Sequence, residues 1–154
     1  MAVEDLGGRK VLSSISETIN APANEIWPFL TAFGTERVLI PGCTRSSVLK
    51  GYGAGAVRRV YFGDVVFEEL ILECDWTTYK LKYEVLEPSP SLAHGILAAV
   101  QLHPSGGPNE TTVTWVSGAK VVPAEHEAAL TEQAVGLCRG QIESLRNLSQ
   151  MTRT

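Results

Sequence analysis

The chain has 154 residues, of which 44% are hydrophobic and 19% are charged, and it carries a formal net charge of −4. This length and composition are typical of a single globular domain and exclude a disordered or membrane-spanning chain. Lys and Arg are dispersed, which excludes the concentrated basic surface that a nucleic-acid partner requires. The three widely spaced cysteines fit neither a disulfide framework nor a zinc site, so we expect free thiols and no metal.

In chain order, the pattern predicts a strand, two helical segments, six strands and a long helix. The first strand is rich in β-branched residues and stops at Pro22, after which apolar residues recur at helical spacing. A short second helical segment lies between Gly34 and Pro41, and turn residues separate the strands that follow it. The predicted strands cover residues 11–19, 44–49, 56–62, 65–74, 77–86, 94–103 and 111–122, and the two longer predicted helices cover residues 23–33 and 124–148.

This order (β-αα-β6-α) predicts an α+β fold in which a curved antiparallel sheet wraps around the long C-terminal helix. No helix interrupts the six consecutive strands, so we expect an antiparallel meander. The concave face of the sheet has to be covered, and the C-terminal helix is the one element long enough to cover it. A sheet that curls around this helix without filling the gap leaves an internal cavity. We expect a single domain over residues 11–148, with flexible ends at residues 1–10 and 149–154.

Four short motifs occur in order along the chain. They read INAPANEIW at residues 19–27, GAGAVRRV at 53–60, FEEL at 67–70 and VTW at 113–115. Together they resemble the helix-grip superfamily, which includes polyketide cyclases/dehydrases, START lipid carriers and birch-allergen-like (Bet v 1-like) plant proteins. The resemblance covers about residues 11–148 and implies a deep pocket between the sheet and the C-terminal helix. Different members use this pocket for binding, for carriage or for cofactor-free catalysis.

Two isolated charges stand on otherwise apolar strand faces. Arg58 is the one charged residue on its face of the predicted strand 56–62, and Glu68 is the one charged residue on its face of the strand 65–74. The opposite face of the second strand carries several acids, which suits water, so we expect the face with Glu68 to point inward. Because an unpaired buried charge is costly, Arg58 and Glu68 are expected to pair in the cavity.

The turn between these two strands leaves two registers open. A two-residue turn at Gly63-Asp64 places Arg58 opposite Glu69, whereas a longer loop or a bulge places Arg58 near Glu68. The apolar face that carries Glu68 favours the longer loop.

The resemblance implies a role for this pair. A cofactor-independent isomerase of the superfamily uses an arginine and a glutamate in matching motifs as its catalytic pair. By that similarity, Arg58 would stabilise an anion and Glu68 would transfer a proton. Non-enzymatic hormone receptors of the superfamily hold acids and bases in comparable places for water-mediated ligand contacts, so binding without catalysis stays open.

Further side chains on the predicted inner faces are candidates for the wall of the pocket. Aromatic rings there would shape the pocket, and polar tips would need partners. We expect these residues to contact the ligand or substrate: Phe62, Tyr83, Trp115, Ser117, Leu137 and Gln141.

Two more ligand-binding candidates lie near predicted strand ends. His94 shares a strand face with apolar residues and is a candidate general base, with a capped histidine at a strand end as the alternative. Tyr52 lies in the glycine-rich segment 51–55, which forms either a mobile lid over the cavity mouth or a plain hairpin connection.

The leading hypothesis is a cofactor-independent isomerase, cyclase or dehydratase that acts by acid–base chemistry on a small, apolar, oxygenated metabolite. The alternative is a non-catalytic carrier or sensor of a small molecule or lipid. Transfer at membranes would need an exposed apolar or basic rim that the sequence does not show. We expect no cofactor and no stable membrane association. The N-terminal residues lack the apolar core of a signal peptide, which indicates a cytoplasmic location, and a homodimer is compatible with the sequence.

Overall fold

A computed structural model describes residues 6–150 as a seven-stranded antiparallel sheet with two α-helices and two short 3₁₀ turns. The strands are β1 (Lys10–Ile19), β2 (Arg45–Lys50), β3 (Val57–Phe62), β4 (Val65–Asp75), β5 (Lys80–Val85), β6 (Leu97–Pro104) and β7 (Thr111–Ala119). The helices are α1 (Ala23–Thr31) and α2 (Glu127–Gln150), and the 3₁₀ turns are Glu36–Val38 and Ala124–His126.

The strands lie in the order β1-β7-β6-β5-β4-β3-β2, so the first two strands of the chain form the two edges of the sheet. The six consecutive strands β2 to β7 form a meander, and α2 packs mainly against β1, α1 and β7. The predicted α+β helix-grip fold is therefore confirmed. The second helical segment is reduced to one 3₁₀ turn. Because α2 lies along one side of the sheet, a space remains between the helix and the middle strands.

A β-bulge in β4 changes which residues face this space. The register between β4 and β5 shifts between Ile71 and Glu73, and the extra residue, Leu72, is 38% exposed. Before the bulge, Glu69 and Ile71 are buried, whereas after it the inner face passes to Cys74, which packs against the main core. The positions that point inward are therefore odd-numbered before the bulge and even-numbered after it.

A second bulge occurs in β1, between Val11 and Ser13. It turns two consecutive residues inward, so that Leu12 is 7% exposed and Ser13 is 3% exposed. A regular strand would send one of them to the outer face. The bulge thus adds a polar side chain to the inner surface.

The main core lies between the inner face of the sheet and the two helices. Trp115 on β7 is 2% exposed, and Ile142 and Leu145 on α2 are fully buried. Burying side chains of this size stabilises the fold by about 1.5–3 kcal/mol each. The helix is therefore held to the sheet by apolar contacts along its C-terminal half.

The expected flexible ends fall partly on residues 1–5 and 151–154, which lie outside the described residues. Within the described part, Leu6 is buried against the outer face of the sheet, and Ser149 is buried on α2. In the same part of the chain, no helix is both long enough and apolar enough to cross a membrane.

Gly118→Ala should destabilise the fold, because a Cβ at Gly118 would lie 2.6 Å from the carbonyl oxygen of Lys10 on β1. We expect the free energy of unfolding, measured by urea denaturation, to fall by about 1–3 kcal/mol. Gly136→Ala on α2 is the matched control, since its new Cβ meets nothing within 4 Å. That variant should gain about 0.5–1 kcal/mol. A Gly118→Ala chain as stable as the wild type would contradict the close approach of β1 and β7.

Candidate functional site

A cavity of about 540 Å³ lies between α2 and the middle of the sheet. This volume suits a small organic molecule. The wall is mostly apolar and includes Leu12 on β1, Phe67 on β4 and Leu130 on α2, while Ile40 contributes from the segment after the first 3₁₀ turn. The polar groups set into this wall define the candidate site.

A buried ion pair forms part of the wall. Arg58 on β3 and Glu69 on β4 are direct neighbours across the two strands, and Nε of Arg58 donates a hydrogen bond to Oε1 of Glu69 at 2.8 Å. Arg58 is 3% exposed and Glu69 is 8% exposed. Glu69 lines the cavity, and Arg58 lies behind it. The carboxylate therefore faces the cavity while the guanidinium is covered by protein.

A second carboxylate, that of Glu36, approaches the same guanidinium. Its Oε2 lies 3.7 Å from Nη1 of Arg58, and the backbone N–H of Gly34 donates to both of its oxygens, at 2.9 and 3.0 Å. Burial raises the pKa of Glu36, and Arg58 offsets this only in part. Sequence reasoning missed Glu36, because a single 3₁₀ turn has no periodic pattern that marks an inner side.

Two aromatic rings lie next to the guanidinium. Cζ of Arg58 lies 4.6 Å from the ring centroid of Tyr83 and 5.6 Å from that of Phe33, which are cation–π distances. Burial lowers the pKa of Arg58, but Glu69 and the other neighbours raise it more, so that the net pKa is above its usual value. Burial, and then Glu69, raise the pKa of Tyr83 well above the usual value for a phenol. The guanidinium thus stays charged and the phenol stays neutral.

The expected pairing of Arg58 with Glu68 is wrong. The hairpin between β3 and β4 has the two-residue turn Gly63-Asp64, which places Glu68 opposite Arg59. Arg59 donates to Oε2 of Glu68 at 3.1 and 2.6 Å, and the Glu68 side chain is 39% exposed. The apolar residues on the Glu68 face of the predicted strand had suggested that Glu68 points inward. This was wrong because the bulge at Leu72 exchanges the inward and outward positions halfway along β4.

His94 and Tyr52 also lie away from the cavity wall, contrary to expectation. Gly95 has a φ of 66° and breaks the strand pattern just before β6, so His94 does not share the inner face of that strand. The His94 side chain is 49% exposed, and its Nδ1 lies 3.3 Å from the Glu87 carboxylate. Tyr52 is 89% exposed in the connection between β2 and β3. This connection has the form of a plain hairpin.

The structure places the six other candidates on the cavity wall. Tyr83 and Trp115 are 7% and 2% exposed, whereas Leu137 is 41% exposed and marks where α2 borders the opening. The six residues are Phe62, Tyr83, Trp115, Ser117, Leu137 and Gln141.

A second group of polar side chains lies three strands away from Glu69. Oγ of Ser13 is 2.5 Å from Oγ of Ser117 and 3.3 Å from Sγ of Cys138. All three residues are buried, and burial raises the pKa of the Cys138 thiol. The alternation of β7 predicts the inward position of Ser117. The inward position of Ser13 was not predicted, because it results from the bulge in β1.

This arrangement offers one carboxylate for proton transfer and several neutral hydrogen-bonding groups. Glu69 is held by a fixed cation and faces an apolar space, which suits a group that takes a proton from a bound molecule. Over residues 6–150, no three His, Cys, Asp or Glu side chains converge as metal ligands would.

Comparison with protein families gives one match over nearly the whole chain. A family model described as polyketide cyclase/dehydrase and lipid transport matches residues 10–150. The matched segment contains every strand of the sheet and all of α2. No curated protein matches the sequence of the chain.

Several solved structures share the fold. A solution NMR structure from Thermobifida fusca has a TM-score of 0.78 and 19% identity, covering 91% of this chain and 93% of that one. Norcoclaurine synthase from Thalictrum flavum, in complex with dopamine and hydroxybenzaldehyde, has a TM-score of 0.74 and 15% identity, covering 100% and 98%. Ara h 8.0201 has a TM-score of 0.69 and 16% identity, covering 94% and 100%. At these identities the likeness shows the fold alone.

Removing Glu69 should destabilise the fold far more than removing Glu68. Glu69→Ala leaves the buried Arg58 with Glu36 as its remaining carboxylate, and we expect the free energy of unfolding to fall by about 3 kcal/mol. Glu68→Ala breaks a partly exposed pair with Arg59 and should cost at most about 1 kcal/mol. Urea denaturation at neutral pH measures both variants. If both variants lose the same free energy of unfolding, the difference in burial between the two carboxylates is contradicted.

Glu36 should make stability depend on pH. Its pKa is raised above the usual 4.5 in the folded chain. Its contribution to stability is therefore greatest below that value and falls as the pH rises through the folded-state pKa. Glu36→Gln mimics the protonated side chain, so the stability of this variant relative to the wild type should increase as the pH rises from 4.5 towards neutrality. Urea denaturation across this range measures the difference, and a difference that stays constant or shrinks would refute the raised pKa.

Proposed function

The chain belongs to the polyketide cyclase/dehydrase and lipid transport family, and we propose that it is a cofactor-independent enzyme of the isomerase, cyclase or dehydratase type. It binds a small, largely apolar, oxygenated molecule in the cavity, and Glu69 moves a proton of that molecule. In this proposal Glu69 takes the role that the family resemblance implied for Glu68.

The observation that carries the proposal is the Glu69 carboxylate, which is the one charged side chain among the residues that line the mostly apolar cavity. Its Oε1 is held by Arg58 at 2.8 Å, and no side chain or backbone group of the described residues donates a hydrogen bond to Oε2. A carboxylate oriented through one oxygen presents the other to a bound molecule. A carboxylate in this position is suited to act as a general base.

The proposed step is a proton transfer at carbon or oxygen. Oε2 of Glu69 takes a proton from a carbon next to a carbonyl group, and the electron pair of the broken C–H bond moves into the carbonyl to give an enolate. Return of the proton from Glu69 to another carbon of a conjugated enolate isomerises the molecule. Attack of the enolate carbon on a second carbonyl closes a ring, and the alkoxide formed takes the proton back from Glu69. Alternatively, a hydroxyl on the neighbouring carbon takes that proton and leaves as water as the C–C double bond forms, which dehydrates the molecule. All three outcomes share the first step and need no cofactor.

Tyr83 supports this step as a neutral donor. Its pKa lies well above the usual value, firstly through burial and then through Glu69, so the phenol keeps its proton. A neutral hydroxyl on the cavity wall can donate a hydrogen bond to a developing enolate oxygen. Glu69 and Tyr83 then act as base and hydrogen-bond donor from neighbouring strands.

Arg58 acts as a positioning residue in this mechanism. The family resemblance implied direct stabilisation of an anion, but the guanidinium lies behind the wall, within cation–π distance of the rings of Tyr83 and Phe33. Its Nε holds Oε1 of Glu69 and thereby sets the direction of Oε2. It also keeps a balancing positive charge next to the base.

A structural neighbour supports the size and class of the ligand. The cavity of about 540 Å³ has room for a molecule with one or two rings. Norcoclaurine synthase, which shares the fold, is described with dopamine and hydroxybenzaldehyde bound, and both are small oxygenated aromatic molecules. We extend this chemical class to the present chain as part of the proposal.

A non-catalytic carrier or sensor is the second candidate. The enclosure of Arg58 favours it, because Glu69 is then the charged group on the cavity wall and a single carboxylate suffices to anchor a hydroxyl or an amine. In that case the same contacts hold the molecule and no bond changes.

Hydrogen–deuterium exchange separates the two candidates. In D₂O, the wild type should speed the exchange of α-hydrogens in small aryl ketones such as 4-phenyl-2-butanone, which NMR follows directly. Glu69→Gln should slow this exchange by about 10²-fold or more, because the base is lost. Glu68→Gln, whose side chain lies on the outer face, is the matched control and should leave the rate unchanged.

Each alternative result has a definite meaning. A Glu69→Gln rate equal to that of the wild type rejects Glu69 as the proton carrier. Ketones that bind in ligand-observed NMR without exchange above the buffer rate support the carrier instead of the enzyme.

A further inference from the structure

The polar group formed by Ser13, Ser117 and Cys138 has no part in the proposed proton transfer. It lies on β1, β7 and α2, whereas Glu69 lies on β4. Strands β4 and β7 are three positions apart in the sheet, which is roughly 14 Å along its surface at the usual strand spacing. The cavity therefore has a charged wall at Glu69 and a separate neutral polar wall at Ser117.

The three side chains of this group lie within hydrogen-bonding distance, and either atom of each pair can be the donor. Burial raises the pKa of the Cys138 thiol, so the sulfur keeps its proton. In one arrangement of the protons, the thiol donates to Oγ of Ser13 across 3.3 Å and Ser13 donates to Oγ of Ser117 across 2.5 Å. This arrangement leaves the hydroxyl proton of Ser117 for a further acceptor. Ser117 lines the cavity, so a bound molecule can supply that acceptor.

A second polar side chain lies on the same side. Gln141 is 3% exposed, lines the cavity and sits one helical turn from Cys138. Within the described chain, its side chain makes one long hydrogen bond, from Nε2 to the Leu137 carbonyl oxygen at 3.4 Å. The remaining N–H and the amide oxygen are available to a ligand. The residues that line the cavity include no Lys or Arg, so this wall favours an uncharged group.

We propose that Ser117, oriented by Ser13 and Cys138, is a hydrogen-bond donor subsite for an uncharged acceptor oxygen of the ligand. With Glu69, it defines the substrate class as an elongated, mostly apolar molecule that has an acidic C–H or an O–H group at one end. A carbonyl or ether oxygen lies at its other end. The inference rests on the proposed function, because it requires that a small molecule occupies the cavity.

A pair of fluorescent probes tests the subsite. 6-Acetyl-2-naphthol carries a hydroxyl at one end and a carbonyl at the other, and 6-ethyl-2-naphthol has the same shape without the carbonyl oxygen. The full-length wild type should bind the acetyl probe about three- to ten-fold more tightly in fluorescence titrations, which is the usual effect of one hydrogen bond. The carbonyl stretch of the bound acetyl probe should also shift to lower frequency than in cyclohexane.

Two variants and one control assign the effect to Ser117. Ser117→Ala should abolish the preference and raise the carbonyl frequency, while binding of the ethyl probe stays as in the wild type. Ser117→Cys keeps nearly the same volume with a weaker donor, and it should reduce the preference. Ser16→Ala is the matched control, because Ser16 forms the analogous cross-strand pair with Thr114 at 3.2 Å on the outer face. It should leave both measurements unchanged.

The outcomes separate the subsite from the proposed function. If both probes bind the wild type equally, or if Ser117→Ala keeps the preference, the subsite is overturned while binding in the cavity stands. If neither probe binds, the proposed function fails and the subsite fails with it. If the preference depends on Ser117 but ketones show no Glu69-dependent exchange, the subsite is supported and the catalytic part of the proposed function is rejected.

Discussion

The burial of one guanidinium organises the charged end of this cavity. Arg58 is 3% exposed, and a charge removed from water to this extent has to be matched by opposite charge and by hydrogen bonds. Glu69 supplies both from the next strand, Glu36 adds a second carboxylate, and the ring of Tyr83 covers one face. This single requirement joins the 3₁₀ turn Glu36–Val38 to β3, β4 and β5, which pair with one another as neighbouring strands of the sheet.

The same requirement creates an asymmetric cavity. The charged wall contains a carboxylate whose first oxygen is occupied by Arg58 and whose second oxygen faces apolar side chains. The wall formed by β7 is neutral and carries the hydroxyl group of Ser117, which Ser13 contacts from β1. A molecule bound as proposed would meet two chemically different ends, and these would set its orientation. Such orientation would contribute to the proposed catalysis.

The fold and much of the cavity wall could be predicted from sequence, because both follow from regular alternation. Tyr83 and Ser117 lie where the period of β5 and β7 places them. The choice between Glu68 and Glu69 could not be predicted in this way. Side chains alternate between the two faces of the sheet only while the strand is regular. The extra residue at Leu72 shifts this alternation within β4, so the faces inferred from residues after the bulge are wrong for Glu68 and Glu69 before it. Glu36 lies in a single turn, which carries no period at all.

The cavity is also a gap in the hydrophobic core. Around a space of about 540 Å³, side chains such as Trp115 and Phe67 lack the contacts that a filled interior provides. A molecule that enters supplies these contacts and becomes a removable part of the core, so it stabilises the folded chain by mass action. A chain whose cavity is filled is therefore expected to unfold less often, and to be less exposed to proteolysis, than a chain whose cavity is empty.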